Sequence, residues 1–377
     1  MLRSRRLLLV SFDWTRPKDP PLSLGHASIL ANLVKYNIDI LPKSWAINQP
    51  DFNHDEIVSF IMENSDQHTD VALGAFVWAE KSLKHVLSEL DRYKFKGRKI
   101  LGGPQISYLK KGLETAYPEV DVFIRGYAES AMVDLMNDNT MNKMIKGVHI
   151  AGQHDLGLTA DIALGDLPSP YLSNLIPPQP FIRWETQRGC PFRCSFCQHR
   201  EPDKALNQRK NLSTDRITAE AQWILSHPII NDIAVLDPTF NAGPEYLNIL
   251  HSLNGYQGKL SLQCRMEMVT DDFLNTIQLL NNNGARVVLE FGLQTIHKSE
   301  MRLIDRPNNM KKIERILYEV KARHIECEVS LIFGLPSQTV DTFHQSVQYC
   351  INMSIPIIHA YPLMILRGTL LEGKKDE

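Results

Sequence analysis

Short apolar runs alternate with amphipathic stretches of helical spacing along almost the whole chain, and this alternation restricts the fold more than any other feature. In the first half, "RRLLLVSF", "IDILPKS", "TDVALGAFVW", "GRKILGG" and "VDVFIRG" read as strands. "SLGHASILANLVKYN", a stretch at about 55–65, "EKSLKHVLSELDRY" and "ESAMVDLM" read as the helices around them. Strand and helix exchanging at this pace predict an α/β fold, a Rossmann-like doubly wound parallel sheet. Ligands of such sheets bind outside the carboxyl ends of the strands, here the loops after Phe12, Phe76, Leu101 and Ile124.

The alternation is interrupted once. "LGDLPSPYLSNLIPPQPFIRW", residues 164–184, holds five prolines, which exclude helix and central strand. The sequence therefore divides into a domain at 1–167, a proline-rich linker running to about 182, and a domain within 168–377. After the interruption, strands are expected at 181–187, 232–237, 259–265, 286–292, 326–333 and 356–363, with crossover helices between them. Six such units predict a partial (β/α)6 barrel, whose chemistry belongs to the carboxyl-end loops.

The loop after the first of those strands is "ETQRGCPFRCSFCQHR", with Cys190, Cys194 and Cys197 spaced C-x3-C-x2-C. The other cysteines, Cys264, Cys327 and Cys350, are scattered singly, so this is no disulfide framework. A structural zinc site wants four ligands in two pairs, and only His199 lies near. Three thiolates suit a 4Fe–4S cluster with one iron left open, as an exchangeable position marks a catalytic metal site. A formal net charge of −2 gives no reason to expect a nucleic-acid partner. The apolar run near the start is too short for a signal segment, and no stretch reaches the length of a membrane span. Free thiols without an export signal point to the cytoplasm.

"RGCPFRCSFC" resembles the cluster loop of the radical S-adenosylmethionine (SAM) enzymes, C-x3-C-x-aromatic-C. "VLDPTFN", "EFGLQT", "IFGLPSQT" and "YPLMILRGTLL" resemble the ends of the second, fourth, fifth and sixth barrel strands. In the first half, "PPLSLGHASILANL", "KILGGPQIS" and "PEVDVFIRGYAES" resemble the cobalamin-binding domain that precedes many of these enzymes. Gln105, Tyr127 and Ala128 depart there from the usual "GGPH" and "RGEGE". The family usually continues well past its sixth strand, and here few residues follow Arg367-Gly368-Thr369. The chain is either short by nature, with a more open pocket, or a truncated piece.

The resemblance implies a reaction and assigns roles. The three cysteines would hold the cluster, whose open iron binds SAM; reductive cleavage then yields a 5′-deoxyadenosyl radical. Gly189 and Pro191 would shape the loop, and Phe196 would lie on the adenine side or in ordinary core. Asp237 would accept from the methionine ammonium or cap a helix. Arg265 would clamp a carboxylate and Glu267 the ribose hydroxyls, the alternative being a surface ion pair. Gln294 would be a polar SAM contact, and Gly334 would admit the adenine. Gly102 and Gly103 would make room for cobalamin or serve a tight β–α turn. Cobalamin is expected without a protein histidine on the cobalt, since D-x-H-x-x-G is absent and His26 lies in a helix-like run. The implied function is methylation of an unactivated carbon of a small-molecule or peptide substrate, with flavodoxin or ferredoxin as electron donor. Two alternatives stay open: a radical rearrangement or cyclisation without methyl transfer, and a cluster-bearing redox or binding protein without SAM turnover.

Overall fold

The computed structural model describes residues 5–138, 143–199 and 209–374. Its contacts divide the chain into two compact units, Met1–Ile176 and Pro177–Glu377. The division falls inside the proline-rich stretch, later than the position near 167 expected from the sequence.

The first unit runs β1 (Arg6–Asp13), α1 (Leu24–Lys35), β2 (Ile40–Ala46), α2 (His54–Glu63), β3 (Thr69–Gly74) and α3 (Glu80–Arg92). It continues with β4 (Lys99–Gly102), α4 (Pro104–Ser107), α5 (Leu113–Ala116), β5 (Val122–Ile124), α6 (Ala128–Asn137) and β6 (Val148–Ile150). The sheet order is β2-β1-β3-β4-β5-β6. Strands β1 to β5 are parallel, whereas β6 pairs antiparallel with β5, an edge the doubly wound reading did not include. Strand β1 is central and covered on both faces, which is why it is an unbroken apolar run. Leu8, Val10 and Phe12 pack with residues of α2 and α3, while Leu7 and Leu9 pack with Leu30, Leu33, Leu135 and Met136 of α1 and α6. The strand order reverses between β1 and β3, and that switch point is where such sheets open a crevice.

The proline-rich stretch is only in part the exposed linker its composition suggests. Leu164, Leu167, Ser169, Tyr171 and Ile176 are buried, and Leu175 and Ile176 donate backbone bonds to Pro170. Proline rules out helix there but not burial, and the interspersed apolar side chains find a core. Exposed segments lie at 152–154 and 156–158, and a further exposed turn lies at 172–174. Limited proteolysis is therefore expected to nick 152–158 before 164–171. First cutting within 164–171, read by mass spectrometry of the fragments, would contradict that packing.

The second unit begins with β7 (Phe181–Trp184), β8 (Gln187–Arg188), β9 (Lys210–Asn211), α7 (Thr214–Leu225) and β10 (Asp232–Val235). It continues with α8 (Tyr246–Ser252), β11 (Lys259–Cys264), α9 (Asp271–Asn282), β12 (Arg286–Gln294), α10 (Lys298–Leu303), α11 (Met310–Ala322), β13 (Glu326–Phe333), α12 (Val340–Asn352) and β14 (Ile357–Pro362). The six long strands form one parallel sheet in the order β14-β13-β12-β11-β10-β7. This is the six-stranded β/α layout expected of the partial barrel. One face buries Leu260, Leu262, Leu289, Phe291, Val329 and Leu331, with α9, α11 and α12 in contact with these strands. The opposite face carries Gln263, Glu290, Glu328, Ser330 and His359, none fully buried, with His359 Nε2 2.8 Å from Glu328 Oε2. Local chemistry starts the helices: Ser213, Thr270 and Thr339 cap α7, α9 and α12 by accepting from backbone N–H groups.

The expected strand 181–187 divides in two. Residues 181–184 stay in the sheet, while Gln187 and Arg188 turn away and pair antiparallel with Lys210 and Asn211. That small hairpin brackets the cysteine segment.

Candidate functional site

The site grows from the carboxyl ends of β7 and β10. Asp237, just past β10, is fully buried. Its Oδ1 accepts from the backbone N–H of Thr186 (2.8 Å) and of Gln187 (3.1 Å), and its Oδ2 accepts from the Thr186 hydroxyl. Burial pushes its carboxyl up to about 7, against the pull of those three hydrogen bonds. Asp237 therefore ties one strand end to the next and neither caps a helix nor presents a free oxygen to a ligand. Gln187 extends the tie by donating Nε2 to the Thr239 carbonyl at 3.0 Å.

From this base the cysteine segment crosses toward the later strands. Gly189 has φ 86°, so the turn needs a residue that tolerates the left-handed region. Cys190 Sγ lies 3.5 Å from Thr239 Oγ1. Cys194 is buried and receives a hydrogen bond from Arg306 Nη1 at 3.4 Å. Ser195 donates its N–H to Ile304 O at 2.8 Å and accepts from the Leu371 N–H at 3.3 Å. The Cys197 N–H donates to Cys194 O at 3.1 Å, and Gln198 Nε2 donates to Arg367 O at 2.9 Å. Burial is the main cause that lifts the Cys197 thiol to about 11; the neighbouring Cys194 and Cys190 add to it, and Arg306 opposes it. Phe196 joins Ile304, Ile332, Leu335 and Leu363, so it packs over the ends of β13 and β14.

A bulge in β12 between Gly292 and Gln294 opens the mouth beneath the cysteines. Gln294 takes φ 67°, and its Oε1 is buried without a partner. A Cβ at Gly292 would stand 2.5 Å from Gln294 Nε2 and 3.3 Å from Arg306 Nη2, so a larger residue there would displace those two side-chain ends. Arg306 Nη2 donates to the Gly292 carbonyl, and its Nε is buried with nothing to bond. Gly334 has φ 83° and open space beside it, a Cβ meeting only Leu363 at 4.0 Å. Cys194, Arg306, Gly292 and Gln294 thus meet at one point, with two unused polar atoms aimed at neither protein nor each other.

Sequence reasoning missed Arg306. Its signal was the Arg-Pro pair after the helix at 298–303, a basic side chain in a strand-end loop where the chain must turn. Arg265 and Glu267 pair with each other at 3.3 Å, the ion-pair alternative. The Arg265 guanidinium also stacks 3.9 Å over the Phe192 ring and donates to Pro307 O at 2.7 Å. Among the described residues, no three His, Cys, Asp or Glu side chains converge as a single metal ion would require.

In the first unit, the two glycines separate in function. Gly103, at φ 96°, is dictated by the protein itself, because a Cβ would stand 2.8 Å from the Ala75 carbonyl. Gly102 has no such neighbour, the nearest being Ile124 O at 3.7 Å. Around the switch point Trp14, Val77 and Trp78 are 46 to 59 % exposed, and Trp78 is stacked on Phe76 at 4.6 Å. His26 is buried, with Nε2 unpartnered, and burial lowers its imidazole to about 4.

Residues 184–350 match the model of the radical SAM superfamily. This segment is a radical SAM domain. Among curated proteins, the chain is 24 % identical over 302 residues to the cobalamin-dependent radical SAM methyltransferase TokK of Streptomyces tokunonensis. It is 21 % identical over 305 residues to a 2-(S-pantetheinyl)-carbapenam-3-carboxylate methyltransferase of Streptantibioticus cattleyicolor. Each match covers 74 % of this chain and 44 % of the relative, so the chain spans about half the length of these relatives. Among solved structures, the radical SAM methyltransferase TsrM of Kitasatospora setae superposes with a TM-score of 0.75 at 14 % identity, covering 99 % of this chain and 76 % of that one. The cobalamin-dependent radical SAM enzyme OxsB gives 0.72 at 15 %, covering 99 % and 55 %. These two likenesses carry the fold of both units: a Rossmann-like α/β unit and a radical SAM barrel.

Proposed function

We propose that this chain is a cobalamin-dependent radical SAM enzyme that methylates an unactivated carbon. The observation that carries the reading is the set of three thiols at the barrel mouth, with an orphaned guanidinium N–H and an orphaned amide oxygen beside them. Cys190, Cys194 and Cys197 would hold a 4Fe–4S cluster, and nothing else in that segment offers a fourth thiolate. When bound, the cluster supplies the electron that cleaves SAM, drawn from a donor such as flavodoxin or ferredoxin, and cobalamin supplies a methyl carrier.

The residues present fit both groups. Arg306 would turn its free Nε–H to a carboxylate of SAM, as a planar fork suits that anion. Gln294 Oε1 would accept from the ammonium, a role the sequence reading gave to Asp237. Gly334 leaves space for a flat adenine, and Phe196, with its aliphatic neighbours, keeps that side dry. In the first unit, the exposed Trp14, Val77 and Trp78 and the open position above Gly102 would receive a broad, largely apolar macrocycle. In support, TokK, the carbapenam-carboxylate enzyme and TsrM are named methyltransferases, and OxsB is named a cobalamin-dependent SAM radical enzyme. Among the described residues, no helix is long and apolar enough to cross a membrane.

The test is anaerobic reconstitution, with iron, sulfide and cobalt counted and the products of SAM identified. S-adenosylhomocysteine beside 5′-deoxyadenosine supports methylation; 5′-deoxyadenosine alone means rearrangement, and neither means a redox or binding protein. Titration with hydroxocobalamin is expected to saturate. Trp78→Ala should weaken it about tenfold, the scale of one aromatic contact. His26→Ala should leave it unchanged, because the imidazole is enclosed within the fold.

A further inference from the structure

Beside the cysteine segment lies a cavity of about 980 Å³ that the roles proposed for Arg306, Gln294, Gly334 and Phe196 do not use. That volume is at the upper end for small-molecule sites, enough to hold a whole substrate. Its walls are partly apolar, from Pro191, Phe192, Met268 and Met310. Among the described residues its charge is one-sided: Arg209, Arg265, Lys298 and Lys311 stand against the carboxylate of Glu267. Arg265 is already engaged by Phe192, Pro307 and Glu267, which fixes it as wall rather than clamp. The other cations are not. Arg209 Nη1 is buried without a partner, and among the described residues neither Lys298 nor Lys311 has an ion pair.

A buried guanidinium nitrogen with no acceptor is unfavourable, so such a group calls for a ligand oxygen. SAM does not meet the need. It carries a sulfonium and an ammonium against one carboxylate, and its net positive charge would be repelled by this wall. Cys194, Phe196, Gln294 and Gly334 do not line the cavity, which borders the mouth at Pro191 and Pro307.

We propose that this cavity binds the methyl-accepting substrate, and that the substrate is an oxyanion, a carboxylate or phosphate ester, on an apolar body. The inference rests on the methyltransferase reading for the word substrate, but the anion preference stands on the cavity alone. Arg209 would pair with the oxyanion, Lys298 and Lys311 would draw it in from solvent, and the Phe192 and methionine side would hold the apolar part.

The probe is 1-anilinonaphthalene-8-sulfonate, an anion on an apolar body, compared with the uncharged N-phenyl-1-naphthylamine. Both are followed by fluorescence on the full chain, kept reduced and anaerobic. The sulfonate should bind more tightly than the neutral probe and lose affinity as salt rises. The double variant Lys298→Glu/Lys311→Glu should weaken the sulfonate about tenfold or more, while the neutral probe is unmoved. Arg209→Gln should do the same in a variant that adds no new charge. Displacement by inorganic phosphate but not acetate would assign a phosphate ester, and the reverse a carboxylate. Equal binding of the two probes, equal loss of both in the variants, or displacement by neither anion would overturn the proposal. SAM cleavage by the unaltered protein is scored separately. Its absence would defeat the methyltransferase reading and leave the anion preference to the titration.

Discussion

Replacing any one of Cys190, Cys194 or Cys197 by alanine is expected to abolish SAM cleavage, a loss of at least about a thousandfold, since no electron reaches SAM without the cluster. Iron content should fall with it. The control is Cys264→Ala. Cys264 is buried behind the sheet, and burial holds its thiol far above the ordinary range, so it is no ready thiolate. That variant should keep its iron. The triplet is tied at separate points to the rest of the barrel: Cys190 to Thr239, Ser195 to Ile304, Cys194 to Arg306. Removing one sulfur therefore leaves the segment in place, and the loss belongs to the cluster rather than to unfolding. Unchanged iron and sulfide in the triple variant would sink the assignment.

Asp237 is expected to give the largest effect on stability. Asp237→Ala leaves two buried N–H groups and a hydroxyl without their acceptor, at a cost of roughly 3 kcal/mol or more. Asp237→Asn keeps an oxygen for the two N–H groups and should cost about 1 kcal/mol. The same residue makes stability depend on pH. In the fold its carboxyl keeps a proton up to about 7, whereas the unfolded chain releases it near 3.8. Between those values the folded protein binds more protons than the unfolded one, so stability falls as pH rises from about 4 to about 7. The decline has an upper bound of about 4 kcal/mol and ends above the folded value. Melting temperatures across that window should slope downward in the natural protein and less so in Asp237→Asn. Equal slopes in the two would show that the carboxyl is ionised throughout.

Much of this was legible in the residues, for a physical reason. Covered parallel strands need unbroken apolar runs, and the crossover helices need apolar residues at helical spacing. "RLLLVSFD" therefore declared itself as a covered strand, while "RVVLEFGLQ" and "ECEVSLIF" show the same apolar residues broken by Glu290, Glu328 and Ser330 on the less buried face. What escaped was decided by tertiary contact. The edge strand at Val148–Ile150 is three residues long, too short for any period to register. Asp237 looks the same in the sequence whether its oxygens face a ligand or a neighbouring turn. Gly102 and Gly103 are adjacent and identical, yet one is shaped by Ala75 and the other is not. Arg306 reaches Cys194 across more than a hundred positions of chain, a contact that no local pattern announces. The cysteine triplet was legible because its chemistry is written in consecutive spacing.

The hairpin of Gln187–Arg188 with Lys210–Asn211 gives the cysteine segment a fixed doorway. Chain leaves and re-enters the barrel through the same pair of strands, and Leu212 N–H then bonds Thr186 O at 3.0 Å. Any lengthening or shortening between those strands is thereby uncoupled from the register of the main sheet. Doubling the enclosed length would add only about 0.6 kcal/mol of closure entropy. The barrel frame is thus insulated from a change of length in the stretch beyond the last cysteine, a freedom the tightly spaced triplet itself does not have.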